Sequence, residues 1–287
     1  MFIADAQVHI WTASTPDRPW RPGQHPHREK PLEADELLRE MDAAGVRRAV
    51  LISPFWDGPR NDLVLQAARL HPDRFAVMGR LDNDPPPTRE QIPTWRRQPG
   101  MLGLRCSINR RSTASLEGLD WLWGEAEKAG VPIMILAPHA MMHLVDRIAG
   151  RYPELKLVMS HLGLTSDQRD EEAFRDLGKL LELARRPNVA VKASALPAYT
   201  SDSYPYRALH PYLRRVFDAF GPKRIFWGSD LARMPCSYRQ VITMFTEEIP
   251  WLTDEDKEWI MGRGLCEWLG WQLPREFDRS RSVKTAD

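Results

Sequence analysis

Four side chains able to ligate a metal or move a proton stand at or near the ends of otherwise apolar segments. His9 follows "DAQV", His139 closes "VPIMILAPH", His161 closes "LKLVMSH" and Asp230 closes "RIFWGSD". Imidazole and carboxylate groups of this kind can hold a divalent ion, deprotonate water or polarise a carbonyl. Taken singly, each has an ordinary explanation, since core histidines hydrogen-bond internally and a terminal aspartate caps a turn. Four at equivalent strand ends point to one reaction centre. Arg105 in "GLRCSI" closes another apolar run, where its planar fork suits a substrate carboxylate. Strand alternation puts Asp5, Gln7 and His9 of "DAQVHIW" on one face, so Gln7 stands where a second histidine would complete a metal pair.

The elements that must position these groups alternate strand and helix along the chain. "RRAVLISP", "FAVMGRL", "MLGLRCSI" and "NVAVKASAL" join the segments above to make eight strands. Amphipathic helices are expected between them, including "LEADELLREMDAAGV", "NDLVLQAARLHP", "LDWLWGEAEKAG" and "EEAFRDLGKLLELARRP". Final helices are expected over about 237–246 and 253–271. Eight strands in this rhythm predict an α/β protein, a single (β/α)8 TIM barrel, with its chemistry where strands run into the following loops. An open doubly wound sheet is the rival, but no glycine-rich phosphate loop accompanies it. Residues 1–272 form the barrel domain in this reading, and 273–287 a charged C-terminal extension. Between the first strand and first helix, residues 12–31 carry five prolines, which excludes a regular helix and predicts an insertion or lid.

Composition excludes several partners. With 40 basic and 39 acidic side chains in 287 residues, the formal charge is +1, so no overall field steers the chain to nucleic acid or an anionic membrane. Three dispersed cysteines suggest a reducing compartment rather than a disulfide framework. No leader and no run of about 20 apolar residues is present, so a cytoplasmic protein acting on a small molecule is expected, with homo-oligomer formation left open.

In the order "DAQVHIW", "MLGLRCSI", "PIMILAPH", "LKLVMSHLG", "NVAVKASAL" and "KRIFWGSD", the chain resembles the amidohydrolase superfamily, in its amidohydrolase-related (type 2) branch. That branch includes sugar lactonases, pyrone-dicarboxylate hydrolase and nonoxidative aromatic decarboxylases. The resemblance implies metal ligands at His9, His139 and Asp230, with Gln7 in place of the first histidine of an HxH pair. It also implies a substrate-binding arginine at Arg105. An amide carbonyl is a weaker ligand than imidazole and suits a hard cation better than zinc. Three arrangements follow: Zn, Mn or Mg on three or four of these residues; Gln7 as a hydrogen-bond donor to substrate or water; or a centre without metal. No organic cofactor is expected.

In each arrangement Asp230 is the general base and His161 the acid, base or carbonyl-polarising group. Trp56 and Tyr199, with Trp20 and Tyr204, could shape an aromatic pocket, and Gln7 could contact substrate. His25 and His27 read as loop histidines, His71, His143 and His210 as structural ones. Lys192 either lines the barrel mouth or is a buried structural charge. The favoured activity is hydrolysis of a small, carboxylate-bearing cyclic ester. Metal-dependent decarboxylation of a hydroxylated aromatic acid is the alternative, and a non-enzymatic ligand-binding barrel the third reading.

Overall fold

The computed structural model describes residues 1–58, 60–80, 88–108 and 120–277. Eight parallel strands follow one another in chain order: β1 (Ala4–Val8), β2 (Arg48–Leu51), β3 (Phe75–Arg80), β4 (Met101–Ser107), β5 (Ile133–Leu136), β6 (Leu157–Met159), β7 (Val189–Ser194) and β8 (Ile225–Gly228). Helices alternate with them, giving a single (β/α)8 TIM barrel. Its seam is closed by hydrogen bonds between the β1 and β8 ends. The Asp230 N–H donates to the Gln7 carbonyl at 2.9 Å, and the Ser229 N–H to Asp5 Oδ1 at 2.9 Å.

Strands covered on both faces read as nearly continuous apolar runs, which is why "VAV" and "IMIL" show no polar alternation. Inside the barrel Ala76, Met134, Val158, Ala190 and Phe226 pack in one cluster, small residues making room for the phenyl ring. Outside, the strands meet helices with narrow apolar stripes. Helix α1 (Ala34–Ala44) buries Leu37, Met41 and Ala44 at four- and three-residue spacing. It stops at Gly45, whose φ of 79° is the left-handed conformation that glycine adopts without strain.

Two expected helices are broken. The 171–187 stretch forms two short helices, Asp170–Phe174 and Leu177–Leu181, because Asp176 leaves helical geometry between them. The 253–271 stretch contains a π turn at Trp259–Arg263. There Gly262 lies against β1 so closely that a Cβ would come within 2.8 Å of the Ala4 nitrogen. The helix therefore yields where it seats on the barrel's lower end. Of the 273–287 extension, Leu273 and Phe277 pack on that lower end, with Phe277 5.2 Å from the Phe2 ring. The "DNDPPPT" loop lies outside the described residues for all but its last residue, Thr88, and so do positions 278–287. Among the described residues no helix is long and apolar enough to cross a membrane.

Candidate active site

The first strand does not keep its two-residue period. Its register with β2 shifts between Asp5 and Val8, a bulge that re-aims the side chains between them. Asp5 consequently does not share a face with Gln7. Its carboxylate receives the Gln7 N–H at 3.0 Å, the Ser229 N–H, the Ser229 hydroxyl and the Tyr238 hydroxyl at 2.7 Å. Asp5 thereby ties the bulge to β8 one residue before Asp230. Burial raises its pKa to about 6 against the lowering effect of those hydrogen bonds.

Gln7 faces the barrel's interior and centres a chain of hydrogen bonds whose directions follow from its ends. The Ile52 carbonyl can only accept, so His9 Nδ1, 2.6 Å away, carries a proton. Neutral His9 then has its lone pair on Nε2, which lies 3.4 Å from the Gln7 amide nitrogen. That nitrogen is also 3.1 Å from His161 Nε2, and His161 Nδ1 is 2.9 Å from Ser194 Oγ. Gln7 thus gives its NH2 to two imidazoles and leaves Oε1 to Lys192 Nζ at 2.5 Å. Lys192 is fully buried and also touches Met134 Sδ. Burial, helped by Arg105, drives it well below the ordinary lysine value. Burial likewise lowers His9, and takes His161 to about 3, so both are neutral imidazoles.

Asp230 completes the floor. It holds a left-handed backbone conformation (φ 51°), as does His161 (φ 51°), and each costs on the order of 1–3 kcal/mol in a non-glycine residue. Its Oδ1 is buried without a hydrogen-bond partner, 3.3 Å from His9 Nε2, while Oδ2 lies 3.9 Å from His161 Nε2 and 3.8 Å from Arg233. Burial works to raise this carboxyl, but His9, His161 and Arg233 outweigh it and hold it below the ordinary value.

Above the floor opens a cavity of about 430 Å³. Gln7, His9, His161, Asp230, Arg105, Trp56 and Tyr199, all expected from sequence, line it. Arg105 is buried, and its guanidinium donates to the Cys106 carbonyl at 2.9 Å. No carboxylate among the described residues pairs with it within 4 Å. Burial lowers it to about 10, still protonated at neutral pH. Arg80 pairs in register with Arg105 on the neighbouring strand and stacks on Phe55 at 3.9 Å. Arg233 donates to the Tyr199 hydroxyl at 3.1 Å. Sequence reasoning missed Arg80, Arg233 and His27 as lining groups. Arg80 could have been found as Arg105 was, since it also ends an apolar strand.

His139 is placed elsewhere. Its Nε2 is 2.8 Å from the Leu162 carbonyl, and it does not line the cavity. Of the four residues proposed as metal ligands, Gln7, His9 and Asp230 therefore meet at the floor and His139 does not join them. Among the described residues no three His, Cys, Asp or Glu side chains are arranged to hold an ion. The NH2 group of Gln7 occupies the space between the two imidazole lone pairs, and Arg80, Arg105, Arg233 and Lys192 surround the floor. A donor amide ringed by three guanidiniums and an amine does not fit a resident dication.

The amidohydrolase family model matches residues 4–263, and the chain belongs to that family; it is an enzyme of the amidohydrolase superfamily. An L-fucono-1,5-lactonase of Burkholderia ambifaria is 25% identical over 237 residues, covering 80% of each chain. A Burkholderia multivorans amidohydrolase with bound zinc has a TM-score of 0.78 at 20% identity, covering 96% of this chain and all of that one. A probable 2-pyrone-4,6-dicarboxylic acid hydrolase from Acinetobacter baumannii, with citric acid bound, has a TM-score of 0.76 at 17% identity, covering 94% and 100%. The two structural likenesses bear on the fold alone.

Proposed function

We propose that this chain hydrolyses a small lactone bearing at least one carboxylate, using Asp230 as the base and no metal. One observation carries the reading: an ionised, under-bonded carboxylate beside a neutral imidazole, beneath a cavity walled by Arg80, Arg105 and Arg233. The lactonase relative supports the reaction class. Decarboxylation of the kind considered from sequence needs a divalent ion on the substrate oxygens, for which the donor set is unsuited.

In this mechanism a water over Asp230 gives its proton to Oδ1 as its oxygen attacks the lactone carbonyl. His9 Nε2, 3.3 Å from that oxygen and less closely held by the Gln7 amide (3.4 Å) than His161 Nε2 is (3.1 Å), can share the proton. The tetrahedral alkoxide forms close to Arg233, whose fixed charge opposes the charge that develops. The ring C–O bond then breaks, the alkoxide collapses to a carboxylic acid, and the proton passes from Asp230 to the departing oxygen. His161 holds the Gln7 amide rather than moving a proton, because its Nε2 accepts from it. Arg105, with Arg80 beside it, takes the substrate carboxylate through charge-assisted hydrogen bonds.

A matched pair of lactones, one carboxylated and one its neutral amide, tests this by mass spectrometry of the products. Gain of one water by the carboxylated lactone is expected. Arg105→Met should raise KM for that substrate about 10–100-fold and leave the neutral one within about threefold. Release of carbon dioxide from an aromatic acid, with no lactone opened, would overturn the proposal.

A further inference from the structure

Residues 12–31 contain no helix or strand beyond an isolated bridge between Thr15 and Arg18, yet three contacts pin the segment to the barrel. Arg18 donates from Nε to Asp57 at 2.8 Å and from Nη1 to Asp62 at 2.8 Å. The Arg21 N–H donates to the Trp56 carbonyl at 2.8 Å. Arg28 forks onto Glu40 of α1 at 2.6 and 3.1 Å. Asp57 is buried, so the Arg18 pair is shielded from the screening that makes surface ion pairs weak.

Between the second and third pins lies His27. Its ring stands perpendicular to Trp56, with centroids 5.5 Å apart, and Trp56 stands beside His9 at 6.1 Å and Trp11 at 5.4 Å. Together His27 and Trp56 wall the cavity on the side of His9. The other cavity histidines spend ring nitrogens on protein partners, His9 on Ile52 and His161 on Ser194 and Gln7. His27 makes a ring contact but no hydrogen bond with any described residue. Its electrostatic neighbours are Arg233 and Asp230. An exposed imidazole on the wall of a ligand cavity, with neither nitrogen bonded to a described residue, keeps one donor and one acceptor for a guest.

We propose that His27 is a substrate-contacting specificity residue, its imidazole hydrogen-bonding an oxygen of the bound acid, and that the pinned 12–31 segment is the wall that delivers it. This rests on the carboxylated-lactone reading for the identity of the guest, but not for the contact. The segment matters because it comes from outside the strand ends, so a different segment here would change the guest without changing the floor.

Long-range proton–nitrogen spectra of the 15N-labelled full chain test the contact directly, with His27 signals identified by their loss in His27→Gln. The probes are citrate and 2-pyrone-4,6-dicarboxylate, each at a concentration that calorimetry shows to be saturating. His27 ring signals should shift with at least one probe. With a hydrolysed lactone, His27→Phe should raise KM about 5–20-fold with kcat within about threefold, because it keeps the ring on Trp56 but loses both nitrogens. His27→Gln, which can still hydrogen-bond, should fall between. Unmoved signals at saturation, or wild-type KM in His27→Phe, would overturn the assignment. Where no lactone is turned over, the function reading fails, while the probe titration still decides the His27 contact.

Discussion

Replacing Lys192 by methionine isolates what holds Gln7 in place. The substitution removes the donor 2.5 Å from Gln7 Oε1 and leaves that oxygen buried among apolar groups, at a cost of about 1–3 kcal/mol. An offsetting gain comes from no longer burying an amine, and methionine fills similar volume beside Met134. Net stability should therefore change by less than about 2 kcal/mol in urea unfolding. Catalysis should suffer more. Without Lys192 the amide is free to turn and present its carbonyl to His161, which must then carry its proton on Nε2 and give up donation to Ser194. We expect kcat/KM to fall about 10–100-fold, equivalent to about 1.4–2.8 kcal/mol. Long-range nitrogen spectra should show His161 changing tautomer. In a Gln7→Ala background the same Lys192→Met change should have little further effect, giving a coupling of at least about 1 kcal/mol. A Lys192→Met enzyme within twofold of wild type, with the His161 tautomer unchanged, would refute the positioning chain.

Three other outcomes follow. Asp230→Asn should lower kcat by about 10²–10⁴-fold while calorimetry still detects binding of the carboxylated substrate. Prolonged dialysis against a chelator, checked by elemental analysis, should leave kcat/KM within about twofold; loss of activity restored by zinc would show the donor set was misjudged. The pH dependence of stability should carry the mark of Asp5. Its folded pKa of about 6 lies above the ordinary 3.8, so the folded state holds the proton more tightly. Its contribution is fully present below about pH 4 and is lost as pH rises through about 6, a span worth about 3 kcal/mol. Wild type should thus gain about that much over Asp5→Asn between pH 7 and pH 4 in urea titrations; a constant difference would exclude it.

The barrel was readable because strands buried on both faces must be apolar throughout, and eight such runs separated by amphipathic helices have few other ways to close. The same rule made Arg105 and Asp230 conspicuous, as charges ending apolar runs. It should have caught Arg80, which ends β3 in the same way and stands in register with Arg105. Three features lay beyond it. The β1 bulge is an extra residue in a pairing register, and nothing in "DAQVHIW" announces that Asp5 turns to Ser229 and Tyr238 while Gln7 turns inward. His139 ends β5 as plausibly as His161 ends β6, but only the path of the chain after the strand decides that one meets a carbonyl and the other the floor. His27 depends on ion pairs reaching from Arg18 to Asp57 and Asp62, about forty residues away in sequence.

Gln7 links these cases. A histidine at that position would have offered a lone pair to a cation. The glutamine offers two N–H bonds to its neighbours' lone pairs and a carbonyl to a buried lysine, so it fills from within the place between His9 and His161. Its amide can keep that orientation only while both ends of the hydrogen-bond chain hold: the Ile52 carbonyl fixes His9 at one end, and Lys192 fixes Oε1 at the other. A change at position 7 alone therefore cannot reveal what kind of centre results. Gln7→His in the presence of Lys192 sets a third imidazole against an amine and three guanidiniums, a poor place for a dication whatever the strand motif reads.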